Sequence, residues 1–140
     1  MDLTLHTSAL PHDGPDAALA FYREAPGFEV REDVGRGATR WITVGPVGRP
    51  DTSLLLAPAA ADTSITDAER DTVLEMTAKG TYGRIVLATR DLDATFARVQ
   101  AADAEVVQEP VLRPYGLRDC AFRDPAGNLV RIRELLSDIG

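Results

Sequence analysis

The sequence predicts an α+β fold made of two copies of one βαβββ unit, and three observations lead there. Asp124-Pro125-Ala126-Gly127-Asn128 has Asp first, Pro second and Gly fourth, the chemistry of a type I turn. Pro46 and Gly48 keep that Pro-to-Gly spacing before the strand-like Ser53-Leu54-Leu55-Leu56. Asp16-Ala17 and Asp93-Ala94 open two helical patterns, and Glu29-Val30 and Glu105-Val106 follow them. Matched residues stay 76 to 79 positions apart, so the two halves read as one supersecondary unit written twice with small gaps.

The first unit spans residues 1–57. Residues 3–8 alternate apolar and polar like a half-buried strand, and Pro11 and Gly14 are expected to break it. A helix over 16–25 turns Ala18, Leu19, Tyr22 and Ala25 inward and ends at Pro26-Gly27. Strands are expected over 28–34, 39–44 and 52–57. Residues 58–81 form a linker: a loop over 58–62, then a helix over 67–79 that Thr66 and Glu69 start as a capping box and Gly80 closes. Its apolar content (Val73, Leu74, Met76) is thin, which places it on the surface as a connector or a lid. The second unit, 82–140, repeats the order with a strand over 83–89 and a helix over 92–102 marked by Leu92, Phe96 and Val99. Strands over 104–108, 117–123 and 128–134 complete it.

A chain of 140 residues is expected to fold as one domain, since two would each have a very small core. A formal charge of −7 sets the overall field against nucleic acid and anionic membranes. No apolar run is long enough to span a bilayer, and Met1-Asp2-Leu3-Thr4 lacks the basic, then apolar, opening of a signal peptide. The single cysteine, Cys120, cannot form an internal disulfide and fits a reducing compartment, so the expected location is the cytoplasm.

Phe21-Tyr22-Arg23, Pro26-Gly27-Phe28-Glu29-Val30, Asp91-Leu92-Asp93 and Asp124-Pro125-Ala126-Gly127-Asn128 occur in the order that resembles the vicinal oxygen chelate superfamily. This group holds glyoxalases, extradiol dioxygenases and the bleomycin- and fosfomycin-resistance proteins. The resemblance implies paired βαβββ modules whose mixed sheet curls around a cavity, with helices outside. In metal-dependent members, four His or Glu ligands stand on the first and last strands of each module. Here those positions fall at or next to His6, on Leu55, on Arg84 and on Arg131. A guanidinium cannot be deprotonated at working pH, so no resident cofactor is expected, with a divalent metal as the alternative.

Strand alternation then assigns the cavity face as Thr4, His6 and Ser8; Ser53, Leu55 and Ala57; Arg84, Val86 and Ala88; and Leu129, Arg131 and Arg133. Trp41 would add an aromatic wall and Tyr115 would stand at the mouth or stabilise its own turn. The candidate ligand-binding set is His6, Trp41, Leu55, Arg84, Val86, Tyr115, Cys120 and Arg131. Arg84 and Arg131 would grip an anionic oxygen of an apolar or aromatic ligand, or else pair with Glu105, Glu109 or Glu134 or reach solvent. His6 is a weak candidate base against a structural role, and His12 a candidate for capping the first helix. Cys120 would pack in the core or a wall, and a nucleophilic role would need a depressed pKa. The expected function is metal-independent sequestration of a small molecule by a homodimer. The alternative is a lyase, isomerase or dioxygenase that uses a metal or His6.

Overall fold

A computed structural model describes residues 1–59 and 61–135. Ala60 of the expected 58–62 loop and residues 136–140 of the expected second unit lie outside the described residues. The chain runs β1 (Thr7–His12), α1 (Pro15–Glu24), β2 (Glu29–Val34), β3 (Trp41–Gly45), β4 (Ser53–Pro58) and α2 (Asp67–Lys79). It continues through β5 (Arg84–Thr89), α3 (Leu92–Ala101), β6 (Glu105–Leu112), β7 (Arg118–Arg123) and β8 (Leu129–Glu134). Two open four-stranded sheets result, ordered β1-β4-β3-β2 and β5-β8-β7-β6. In each, the first strand pairs in parallel with the fourth and the other pairs are antiparallel. This is the expected α+β architecture.

Helices α1 and α3 each cover one face of their own sheet: α1 packs on β3 and β4, and α3 on β6, β7 and β8. The alternation of side chains follows from that. Ile42, Val44, Leu54 and Leu56 are buried beneath α1, and Cys120, Phe122, Val130 and Ile132 beneath α3. The intervening residues point to the helix-free face: Ala9, Thr43 and Leu55 in one sheet, Val86, Ala121 and Arg131 in the other.

One strand is displaced from its expected place. β1 covers Thr7–His12, whereas the sequence pattern predicts a strand over 3–8 with Pro11 as a breaker. β1 is an edge strand bonded only to β4, so a proline whose nitrogen faces away from the partner costs no ladder bond. The shift also changes parity. Leu10 and His12 are buried, so Ser8 shares the helix-covered side, and Thr7, Ala9 and Pro11 take the helix-free side.

The repeat extends to the ion pairs that seat the helices. Arg40, just before β3, binds Asp16 at the start of α1 (2.7 Å) and Asp33 (2.6 Å). Arg118, which opens β7, binds Asp93 at the start of α3 (3.1 Å) and Glu134 (3.0 Å). Ion pairs open to solvent on at least one side add little net stability, so these set helix orientation more than stability.

The halves are joined by buried polar groups. The Tyr22 hydroxyl of α1 donates to Asp124 Oδ2 (2.7 Å), and Asn128 Nδ2 donates to Asp124 Oδ2 (2.9 Å) and to the Pro11 carbonyl (2.8 Å). Burial first, then the negative charge of Asp124, pushes the Tyr22 hydroxyl well above its ordinary pKa, so it stays a donor. Arg98 of α3 donates to the Ala25 carbonyl at the end of α1 (3.1 Å). A single apolar core cluster therefore includes residues of both halves, from Leu10 and Tyr22 to Phe122 and Ile132.

The linker helix α2 forms as expected, with the complete Thr66–Glu69 capping box and Gly80 at φ 80°. Its last turn docks on the 124–127 turn. Gly127 has φ 108°, and a Cβ there would stand 2.2 Å from the Thr77 carbonyl oxygen. Gly127→Ala is expected to cost about 2 kcal/mol through that clash and the left-handed backbone, read as a lowered urea midpoint with unchanged slope.

Candidate functional site

The free edges of the two sheets, β1 and β5, border a groove of about 320 Å³. One side is formed by Leu5, His6, Thr7 and Ser8 with Ser53 and Leu54, the other by Arg84, Ile85, Val86 and Leu87, with Phe28 and Pro46 also lining it. The surface is mainly hydrocarbon with a few hydroxyls, one imidazole and one guanidinium, the usual composition of a small-molecule site. Val86 is 57% exposed. Arg84 makes no hydrogen bond or ion pair with any described residue, so its donors are available to a ligand.

The structure thus brings His6, Arg84 and Val86 of the candidate set together. Leu55 lies on the helix-free face of β4, opposite Ala9 and Thr43, beside rather than in the groove. Trp41 stands at the start of β3 on the same face, paired with Val34 of β2 and 38% exposed. Tyr115 is 59% exposed in the loop between β6 and β7. Cys120 is fully buried on the helix-covered side, opposite Ile132. Burial, then the neighbouring Asp119 charge, pushes its thiol up to about 11. A thiol in that state is inert: a disulfide reagent is expected to label native Cys120 only at the rate of unfolding, read as labelling that accelerates with urea. His12 Nε2 donates to the Arg40 carbonyl (2.7 Å), and His12 does not cap α1, whose N-cap is Gly14 without a side-chain bond.

Arg131 meets none of the three acids named for it from the sequence, Glu105, Glu109 and Glu134. It joins a network around Asp119, which is only 2% exposed although it sits on the helix-free face of β7. Arg131 Nη1 stands 3.3 Å from Asp119 Oδ1 and 3.5 Å from Gln108 Oε1. Arg113 Nε donates to both Asp119 oxygens (3.1 and 3.2 Å), its Nη2 donates to Gln108 Oε1, and Gln108 Nε2 donates to Asp119 Oδ1 (2.8 Å). The Tyr115 hydroxyl is 3.4 Å from Oδ2, and the Arg133 guanidinium lies 5.7 Å above the Tyr115 ring centre. Burial works to raise the Asp119 pKa, but the bonds from Gln108 and Arg113 and the charges of Arg113 and Arg131 outweigh it, holding the carboxyl below its ordinary value. Sequence reading missed Asp119, Gln108 and Arg113 as site residues; the alternation that placed Arg131 inward also places Asp119 inward, and that signal went unused.

The glyoxalase/bleomycin resistance protein/dioxygenase superfamily profile matches residues 4–132, nearly the whole chain. The chain belongs to that superfamily. Among solved structures, this superfamily member is similar to UcmS2, with 34% identity, a TM-score of 0.84, and coverage of 96% of this chain and 100% of that one. It is also similar to TnmS3, an antibiotic binding protein from Streptomyces sp. CB03234, with 28% identity, a TM-score of 0.71, and coverage of 95% and 96%. A curated relative, the uncharacterized protein YurT of Bacillus subtilis (strain 168), is 52% identical over 44 residues, 31% of this chain and 35% of that protein. The match therefore spans about a third of that relative's length.

The divalent ion used by some superfamily enzymes does not suit the residues this chain presents. β1 turns Thr7 to the helix-free face, and the other three expected positions hold Leu55, Arg84 and Arg131. No group of three or more His, Cys, Asp or Glu side chains among the described residues could hold a metal. Two guanidinium groups at the expected ligand positions would instead repel a dication.

Proposed function

We propose that this superfamily member is a metal-independent small-molecule binding protein that sequesters its ligand, as a resistance-type protein does. The observation that supports this most is the groove between β1 and β5: mostly hydrocarbon, edged by His6, Thr7, Ser8 and Ser53, with Arg84 free of any described partner. Its volume of about 320 Å³ suits an apolar or aromatic ligand, whose burial would supply roughly 25 cal/mol per Å² before ordering costs. Arg84 would orient an oxygen of that ligand, and sequestration requires no catalytic group. The similarity to TnmS3, an antibiotic binding protein, supports a ligand of antibiotic type.

We place the protein in the cytoplasm as a homodimer. No helix among the described residues is long and apolar enough to cross a membrane. Trp41, Val34 and Val86 are exposed on the helix-free faces, and a second copy would cover them. The enzyme alternative, a lyase, isomerase or dioxygenase, is favoured only by the superfamily's breadth and by His6 at the groove.

The test is a thermal-shift and calorimetric screen of aromatic acids and antibiotics, with metal analysis of the same purified protein. Binding by a metal-free sample, weakened about tenfold in Arg84→Ala, is expected. One tightly bound divalent ion per chain, or silence across the panel, would overturn the reading.

A further inference from the structure

Positions on the helix-free face of β5, β7 and β8 have counterparts on β1, β3 and β4, and the two faces differ in chemistry. Leu55 and Ala57 of β4 occupy the places that Arg131 and Arg133 hold on β8, each pair 76 residues apart. Trp41 of β3 corresponds to Asp119 of β7. The first face is mostly hydrocarbon; the second holds Arg113, Arg131 and Arg133 around one carboxylate. Asp119 is held ionised by its donors, so among the described residues three cations face one anion and two positive charges have no ion-pair partner of their own, in a chain of formal charge −7.

Arg133 marks where the imbalance is felt. Its guanidinium makes no hydrogen bond or ion pair with a described residue, its Nε is buried without a partner, and its plane rests over Tyr115. Arg31, the arginine near the first face, contrasts with it: its donors are taken up by the carbonyls of Thr52, Pro46 (2.8 Å) and Arg49 (2.8 Å) and by Ser53 Oγ (2.8 Å). A buried guanidinium nitrogen without an acceptor is costly unless something supplies one.

We propose that Arg131, Arg133 and Arg113, set by the buried Asp119 and the exposed Tyr115 ring, form a subsite for a doubly charged oxyanion on the ligand, a phosphate or a pair of carboxylates. The planar forks suit such a group, and three cations around one carboxylate match a dianion better than a monoanion. The inference rests on the sequestration reading and adds the class of group that the ligand carries. Arg131 and Arg113 hold position through Asp119, whereas Arg133 has no hydrogen bond or ion pair among the described residues, which makes it the residue to change.

The experiment compares 2-naphthyl phosphate, 2-naphthoate and 2-naphthylmethanol by calorimetry on the intact chain, in wild type and in Arg133→Gln. Wild type is expected to bind the phosphate about tenfold tighter than the alcohol, with the carboxylate between them. Arg133→Gln is expected to erase that preference while leaving the alcohol's affinity within about twofold, a selectivity that general loosening would not produce. The conservative Arg133→Lys should retain part of it. Equal binding of all three compounds would overturn the dianion subsite and leave sequestration standing. Binding of none would overturn both, and a preference for phosphate that survives in Arg133→Gln would place the anion elsewhere.

Discussion

Asp124→Ala is expected to be the most destabilising single change in the chain. One oxygen of this 6% exposed carboxylate accepts the backbone N–H groups of Ala126, Gly127 and Asn128 (3.0, 3.1 and 2.9 Å), and the other accepts the Tyr22 hydroxyl and the Asn128 amide. Alanine would leave those donors buried without an acceptor and would uncouple the turn from α1. The expected loss is about 3 kcal/mol, a large part of the margin of an ordinary domain, and should lower the melting temperature by roughly 10 °C. Tyr22→Phe removes only one of the hydrogen bonds between the halves and should cost about 1 kcal/mol. Denaturation of both single mutants and the double mutant closes a cycle. Additive losses would mean that the hydroxyl and carboxylate act independently, against the geometry described.

Asp119→Asn is expected to change how stability responds to acid. The folded-state pKa of Asp119 lies below its ordinary value of 3.8. A carboxyl depressed in this way contributes stability that is fully present above the ordinary value and is lost as pH falls through the lower folded value. Wild type should therefore lose stability below about pH 4, part of it because proton uptake releases Arg113 and Arg131. The asparagine variant should be about 2 kcal/mol less stable at pH 7 and should lose less on acidification. Urea midpoints from pH 7 to pH 2.5 measure both. Parallel curves would show that Asp119 does not titrate differently in the folded chain.

Most of the framework could be read from the sequence because it is periodic. The alternating strands, the Asp-started helices and the repeated Pro–Gly turns are local signals, and α2 formed with its expected bounds because its capping box and Gly80 are adjacent in sequence. The first strand escaped because Pro11 looks like a breaker unless the strand is known to lie at an edge. The repeat held the correction: Asp16 and Asp93 stand 77 residues apart, and the same interval carries Arg84 to Thr7, not His6. An interval of 78, that of Arg40 and Arg118, pairs Cys120 with Ile42, a core residue, in keeping with the thiol's place beneath α3.

The site was less legible because its contacts are not local. Tyr22 and Asp124 are separated by 102 positions, and nothing near either names the other. Arg131 had several acids within reach on paper. The one it meets, Asp119, is selected by strand pairing that opposes Ala121 to Arg131 and Asp119 to Arg133. Gln108 joins because β6 has lost register beside it, which sets its amide against Asp119.

The matched guanidinium clamps at Arg40 and Arg118 bear on how such a protein diversifies. Each anchors a helix from the covered side of its sheet, and neither touches the opposite surface, where one half presents leucine and tryptophan and the other arginine and aspartate. Scaffold and specificity are thus written in alternate letters of the same strands. A duplicated gene could rewrite one set freely while the other kept the architecture standing, which lets two copies of one blueprint furnish unlike walls for a single guest.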